Sequence, residues 1–347
     1  MANPIPVIID TDVALDDWMA TLYLLSVPDY QIIGVTTTGV GAAHLTAGTR
    51  NIQGVLATGG QPQIPVGLGT NAPLVYSNVY PGSFRQQVDN AYGLTLPVNN
   101  TPPYGSAIAL LIDKITGSSS PVTILSIGGG TNLAMAFQEQ PQLLKNISRI
   151  YMMGGVINDY NNQQTPGNVG SFNPDYTNQV AEWNVFVDPL AAQLVLQSGV
   201  PITLIPLNAT NQVPLTFQFY TALGIFIAEN PSAPAGARLI FDALSTQLST
   251  ITAGQYYFWD PLAAVLLANN SFITDTLSTP LGVQQLLNEE QDTSGQLLLA
   301  NSGPTVGVVM GVDAAAVPAN FFSCITGVPL GPYLAKAAAR KAASSNS

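Results

Sequence analysis

The chain has 347 residues, 47% hydrophobic and only 8% charged, and its 20 acids against 9 bases give a net charge of −11. So few Lys and Arg residues leave no basic face for nucleic acid. One cysteine, Cys324, and one histidine, His44, exclude disulfide frameworks, CxxC sites and multi-histidine metal centres, and no run reaches the roughly 20 uninterrupted apolar residues of a membrane span.

In chain order, short apolar runs rich in β-branched residues predict strands at 5–10, 31–38, 122–129, 147–155, 201–208 and 305–313. Helical patterns fall between them at 16–26, 43–58, 106–117, 131–145, 188–198 and 260–269. This alternation predicts an α/β fold with an open, mostly parallel (mixed) β-sheet flanked by helices, whose ligands bind at the carboxyl ends of the strands. Residues 158–180 form a polar Gly/Asn/Pro-rich loop too long for a plain connection, a candidate lid. With no repeat and no linker, 1–333 reads as one catalytic domain. Residues 334–347 read as a short Ala-rich helix fraying into a disordered tail. The start, MANPIPVIID, lacks the pattern of a secretion signal, so a cytoplasmic location is expected.

Charge is scarce enough that its placement carries information. Asp10, Asp12, Asp16 and Asp17 put four of the 20 acids into eight residues, where uniform scatter would place about half of one. Partly buried at a strand end, four carboxylates repel one another, and the first base in the chain is Arg50. A divalent cation is the economical counter-charge, and all-oxygen ligation favours Ca²⁺ or Mg²⁺ over zinc or copper. Helix N-capping by itself accounts for Asp16 or Asp17 but leaves Asp10 and Asp12 unexplained.

The segment VIIDTDVALDDWMA (7–20), an apolar strand followed by D-x-D-x-x-x-D-D, resembles the signature of the inosine-uridine-preferring nucleoside hydrolase family. IGGGTNLA (127–134), YMMGG (151–155), AEWNVFVDPLAA (181–192) and WDPLAAV (259–265) follow in that family's order. The resemblance spans roughly residues 5 to 330. It implies hydrolysis of the N-glycosidic bond of ribonucleosides with Ca²⁺ as cofactor, and a homodimer or homotetramer. It further implies that Asp12, Asp17, Asp260 and the main-chain carbonyl of Thr131 hold the ion, with Asp12 also taking a proton from the water on it. Asp16 then bonds a ribose hydroxyl, Met153 contacts the ribose, and Asn168, Glu182 and Asn184 hold the sugar's 5′ end. Asp10 supports the ligands from behind, and Asn173 rivals Asn168. These roles suit a reaction that builds oxocarbenium character on the sugar.

Many members carry a histidine just before the late aspartate, as acid for the leaving group. Trp259 stands there in this chain, after Tyr256, Tyr257 and Phe258, with Phe84 in YPGSFR. This is similar to the purine-specific branch, in which aromatic side chains sandwich the base and stacking favours its protonation at N7. The expected substrate is therefore a purine ribonucleoside, with Trp259 and Phe84 as stacking residues and Trp259 counted as catalytic. His44 reads as a loop or helix-start residue, and Tyr256 and Phe258 as core. After the second strand TTTGVG replaces the Gly-Asn of many members. A haloacid dehalogenase-type phosphatase also begins with a strand and D-x-D, but Ala14 stands where that pattern needs Thr or Val. A non-catalytic nucleoside-binding protein is the other rival, disfavoured because all the expected carboxylates are present.

Overall fold

The computed structural model describes residues 3–75, 78–158, 160–161, 164–172, 176–285 and 292–345. Asn173, the rival to Asn168, lies outside them. Nine strands form one sheet: β1 (Ile5–Thr11), β2 (Tyr30–Thr37), β3 (Val66–Leu68), β4 (Val122–Ile127), β5 (Ile147–Met153), β6 (Ile202–Ile205), β7 (Ile273–Val283), β8 (Leu297–Leu299) and β9 (Thr305–Val312). Their spatial order is β3-β2-β1-β4-β5-β6-β9-β7-β8. Neighbours from β3 through β9 pair in parallel, and β7 runs antiparallel to both β9 and β8. The open, mostly parallel sheet expected from the alternating pattern is thus present, with one antiparallel edge.

Alternation along β1 shows why it lies at the centre. Val7 and Ile9 join the apolar core on one face of the sheet and Ile8 the core on the other, all fully buried. The chain leaves β1 toward β2 and β3, then returns to the opposite side with β4. Strand order therefore reverses between β1 and β4, and the crevice outside the carboxyl end of such a switch point is where open α/β sheets bind ligands. The aspartate cluster follows β1 at that end.

The first five helices are α1 (Leu15–Leu25), α2 (Leu45–Thr58), α3 (Gly82–Asp89), α4 (Ala107–Gly117) and α5 (Thr131–Glu139). After β5 come the short α6 (Val169–Phe172) and α7 (Trp183–Val187), then α8 (Pro189–Leu196) and α9 (Leu207–Thr210). The run 209–258, for which the sequence pattern gave no element, forms α10 (Phe217–Glu229), α11 (Ala235–Ser245) and α12 (Leu248–Thr252) ahead of α13 (Trp259–Ala268). The chain closes with α14 (Ala316–Thr326) and α15 (Gly331–Ser345). The Ala-rich end, expected to fray, is helical through Ser345, and α15 carries the pair Lys336 to Glu229 of α10. Among the described residues no helix is long and apolar enough to cross a membrane.

Candidate active site

The carboxyl end of β1 presents Asp10 and Asp12, both buried. Asp10 Oδ1 accepts from Thr36 Oγ1 of β2 at 2.7 Å and from Asn132 Nδ2 of α5 at 2.8 Å, so one carboxylate ties three elements together. Burial pushes its pKa up to about 6 against the pull of those two bonds. Asp12 Oδ2 accepts the Ala42 amide at 2.9 Å, and its main-chain oxygen accepts the Ala43 amide at 3.1 Å. The 39–43 loop can wrap Asp12 this closely because Gly41 has no side chain: a Cβ there would lie 1.9 Å from Asp12 Oδ2. Arg85 of α3 fastens the loop from outside, its Nη2 donating to Gly39 O at 2.6 Å and Ala43 O at 2.9 Å. Burial raises the Asp12 pKa to about 6, with the Ala42 amide and the Arg85 charge opposing the rise.

Between Asp12 and α1 the chain turns through Val13, a buried β-branched residue at φ 71°. A β-branched residue in the left-handed region is strained, and such strain persists where the surroundings over-determine it. The turn sets Asp16 and Asp17 in the first turn of α1, where their charge complements the helix dipole. Asp17 Oδ1 accepts from Thr11 Oγ1. Asp260 enters from the first turn of α13, on the far side of the chain in sequence. Carboxylate oxygens of Asp16, Asp17 and Asp260 all lie within 4.8 Å of one another. Burial first, then the neighbouring aspartates, raise Asp16 to about 7 and hold Asp17 and Asp260 well above the usual carboxylate range.

These residues fit a hard divalent cation. The buried carboxyl groups of Asp17 and Asp260 lie against each other, and Asp17 Oδ2 and Asp260 Oδ1 meet no other donor among the described residues, an arrangement that is costly with both ionised unless a cation answers it. The geometric trio contains Asp16 where the sequence reading had Asp12, although Asp12 is close enough to raise the pKa of all three. Thr131 begins α5, and its hydroxyl donates to Asp188 Oδ2 at 2.7 Å.

The opposite wall is built by α7. Glu182 is its N-cap: Oε1 accepts from Asn184 N at 2.9 Å, while Oε2 accepts from Val185 N at 3.3 Å and Gly155 N at 2.9 Å. Burial raises the Glu182 pKa to about 7 in spite of these amides. Asn184 Nδ2 donates to Met153 O at 3.2 Å, fixing both residues after β5, and Asn168 Oδ1 accepts from Trp183 N at 3.1 Å. Aromatic rings complete the enclosure. Tyr80 stacks on Trp183 with centroids 4.0 Å apart and on Phe84 at 5.2 Å, and Trp259 packs against Tyr256 at 5.1 Å and Tyr257 at 5.7 Å.

All of this encloses one cavity of about 810 Å³. Every expected site residue lines it except Asp10, which stands behind, and Thr131. Tyr256, expected to be core, is buried yet also forms part of the wall. His44 is placed at the N-cap of α2, outside the cavity, paired with Asp89 at 2.6 Å. Sequence reasoning missed Tyr80, Arg85 and Tyr92. The only linear signal was that Tyr80 and Arg85 flank Phe84 in YPGSFR.

The family model for inosine-uridine preferring nucleoside hydrolase matches residues 7–319. An uncharacterised Schizosaccharomyces pombe protein is 32% identical over 208 residues, 60% of this chain and 62% of that protein. The pyrimidine-specific ribonucleoside hydrolase RihA of Salmonella paratyphi A is 31% identical over 215 residues, 61% of this chain and 63% of that one. The matched part thus spans less than two thirds of either relative's length. Among solved structures, a plant nucleoside hydrolase superposes with a TM-score of 0.79 at 25% identity, covering 94% of this chain and all of that one. With five motifs in order, the sheet topology and the family match across most of its length, the chain belongs to the inosine-uridine preferring nucleoside hydrolase family.

Proposed function

We propose that the protein is a calcium-dependent N-ribohydrolase that uses water to cleave purine ribonucleosides to free base and ribose. The observation that supports this best is the convergence of four carboxylates, the Asn168, Glu182 and Asn184 wall and the aromatic rings on one cavity of about 810 Å³. Asp17 and Asp260, whose buried carboxyl groups lie against each other, would hold the ion. Asp12 and the Thr131 carbonyl complete the set expected from the sequence, and Asp16 lies within reach of the same ion. Bound there, a divalent cation supplies Lewis acidity that makes water nucleophilic near neutral pH.

The chain's own residues do the rest. Asp12 acts as general base, its carboxylate held in orientation by the Ala42 amide. Asp16 bonds a ribose hydroxyl, Met153 touches the sugar, and Asn168, Glu182 and Asn184 hold its 5′ end. The surrounding carboxylates stabilise the positive charge that develops on the sugar as the C1′–N bond breaks. Trp259 and Phe84 present aromatic faces for the base. Stacking that favours protonation at N7 lets a purine depart neutral without a histidine, which suits a cavity whose wall holds none.

Incubation with inosine, guanosine, adenosine and uridine in the presence of calcium, with assay of reducing sugar, tests the reading. Ribose should appear without phosphate, with the highest kcat/KM on a purine nucleoside. No sugar from any of them overturns the hydrolase. Uridine as the best substrate overturns the purine preference and matches what the Salmonella relative's name says of that protein. A homodimer or homotetramer and a cytoplasmic location belong to the same reading, and light scattering tests the assembly.

A further inference from the structure

Tyr92 enters the cavity wall on a backbone that L-residues rarely adopt. Ala91, Tyr92 and Gly93 follow one another at φ 50°, 55° and 80°. A non-glycine residue in that region is strained, so two in succession need a compensating contact. The contact is with α1. The Tyr92 hydroxyl oxygen accepts the Leu15 amide at 3.0 Å, across 77 residues of sequence, and its ring meets Trp18 edge-on at 5.6 Å. Trp18 in turn donates its indole N–H to the carbonyl of Val13, the other strained residue of the site, at 3.2 Å.

Leu15 opens α1, and the first amides of a helix have no partner within it. A side chain at the N-cap normally supplies one, but Ala14 holds that position and makes no such bond. Tyr92 therefore answers, from a distant loop, the first amide of α1, which the Ala14 side chain cannot. Its oxygen receives the Leu15 amide and its own proton remains to give, and Asp16 is the charge that bears on it most strongly.

We propose that Tyr92 is a positioning residue: by holding the first amide of α1 from outside, it fixes the turn that carries Asp16 and Asp17 and so sets their spacing with Asp260 for a single divalent cation. The proposal rests on the reading of that trio as a cation site. It does not need the nucleoside reaction.

Tyr92→Phe keeps the ring against Trp18 and removes only the hydroxyl. Tyr23→Phe, which removes a hydroxyl bonded to Asn320 away from the cavity, controls for a general loss of stability. Calorimetric titration of the cation-free proteins with calcium should give a Kd about tenfold weaker for Tyr92→Phe, the size that one hydrogen bond carries. Tyr23→Phe should bind as the wild type does, even where its melting temperature falls as far. An unchanged Kd in Tyr92→Phe, or an equal weakening in both variants, overturns the proposal. A wild type that binds calcium but releases no ribose overturns the reaction proposed above and leaves this titration as the test of Tyr92.

Discussion

Asp12 is the residue on which the site's constraints converge. The loop after β2, the Arg85 side chain and the strained Val13 all bear on its position. Asp12→Asn keeps the shape and removes the proposed proton acceptor, so kcat should fall by roughly 10²- to 10⁴-fold while the protein still melts cooperatively. Ribose release near the wild-type rate would transfer the base role elsewhere. Gly41→Ala tests the same residue through its surroundings. The added Cβ meets Asp12 Oδ2 and Cβ at 1.9 and 2.4 Å, so carboxylate or loop must move. Displacements of this order cost about 10²-fold in rate, and we expect that loss in kcat. A fully active Gly41→Ala enzyme would mean that Asp12 needs no such close wrapping. Sequence alone exposed the aspartate knot, because a chain with so few charges makes a local excess visible. It could not expose Tyr92 or Arg85, whose roles come from a left-handed backbone and from main-chain carbonyls that leave no mark in residue order.

Among elements, β1, β4 and β5 were legible as short β-branched apolar runs, and α1, α5 and α8 as apolar segments marked at their starts by Asp16, Thr131 and Asp188-Pro189, whereas the short α6 and α7 after β5 were not. Nor was the stretch from 209 to 258. Helix α10 (FQFYTALGIFIAE) mixes aromatic and β-branched residues with little amphipathic contrast, and its burial is decided by α11, α14 and α15 packing around it. Strand β7 carries Pro280 and polar residues in a segment that pairs with β9 and, toward its end, β8, and context rather than propensity makes it a strand. The unread stretch matters for function, since it delivers Tyr256, Tyr257 and the entry to α13. Helix α13 places Trp259 and Asp260 on consecutive residues, so a ligand touching one is held close to the other. Trp259→Ala should therefore lower kcat on inosine by at least tenfold, a loss of about 1.4 kcal/mol of transition-state stabilisation. It should leave calcium affinity unchanged, because Asp260 is fixed by the helix rather than by its neighbour's ring. Intact purine turnover in that variant would remove stacking from the mechanism.

At the scale of the whole molecule, the net charge of −11 is less consequential than where the negative charge is buried. Asp10 and Asp12 are raised to about 6, and Asp16 and Glu182 to about 7, from ordinary values of 3.8 and 4.5. In the unfolded chain these groups lose their protons near pH 4, whereas the folded chain keeps them up to pH 6 or 7. Between those limits the native state binds more protons than the unfolded state, so stability falls as pH rises. The stabilisation is complete below about pH 4 for these groups and is lost as pH passes through 6 to 7, the reverse of the usual salt-bridged carboxylate. A divalent cation held by Asp16, Asp17 and Asp260 would change the sign, because it would bind the ionised carboxylates of the folded state. At 100 times its Kd it adds about 2.7 kcal/mol. Thermal melts in a chelator should then show a melting temperature that declines steadily from pH 4.5 to 7. Calcium should restore several degrees at pH 7 and progressively less toward pH 4.5, where protons compete for the same oxygens. A chelated protein whose melting temperature is flat across that range, or a calcium effect no larger at pH 7 than at pH 4.5, would show that the buried carboxylates keep their charge by some means other than a bound cation.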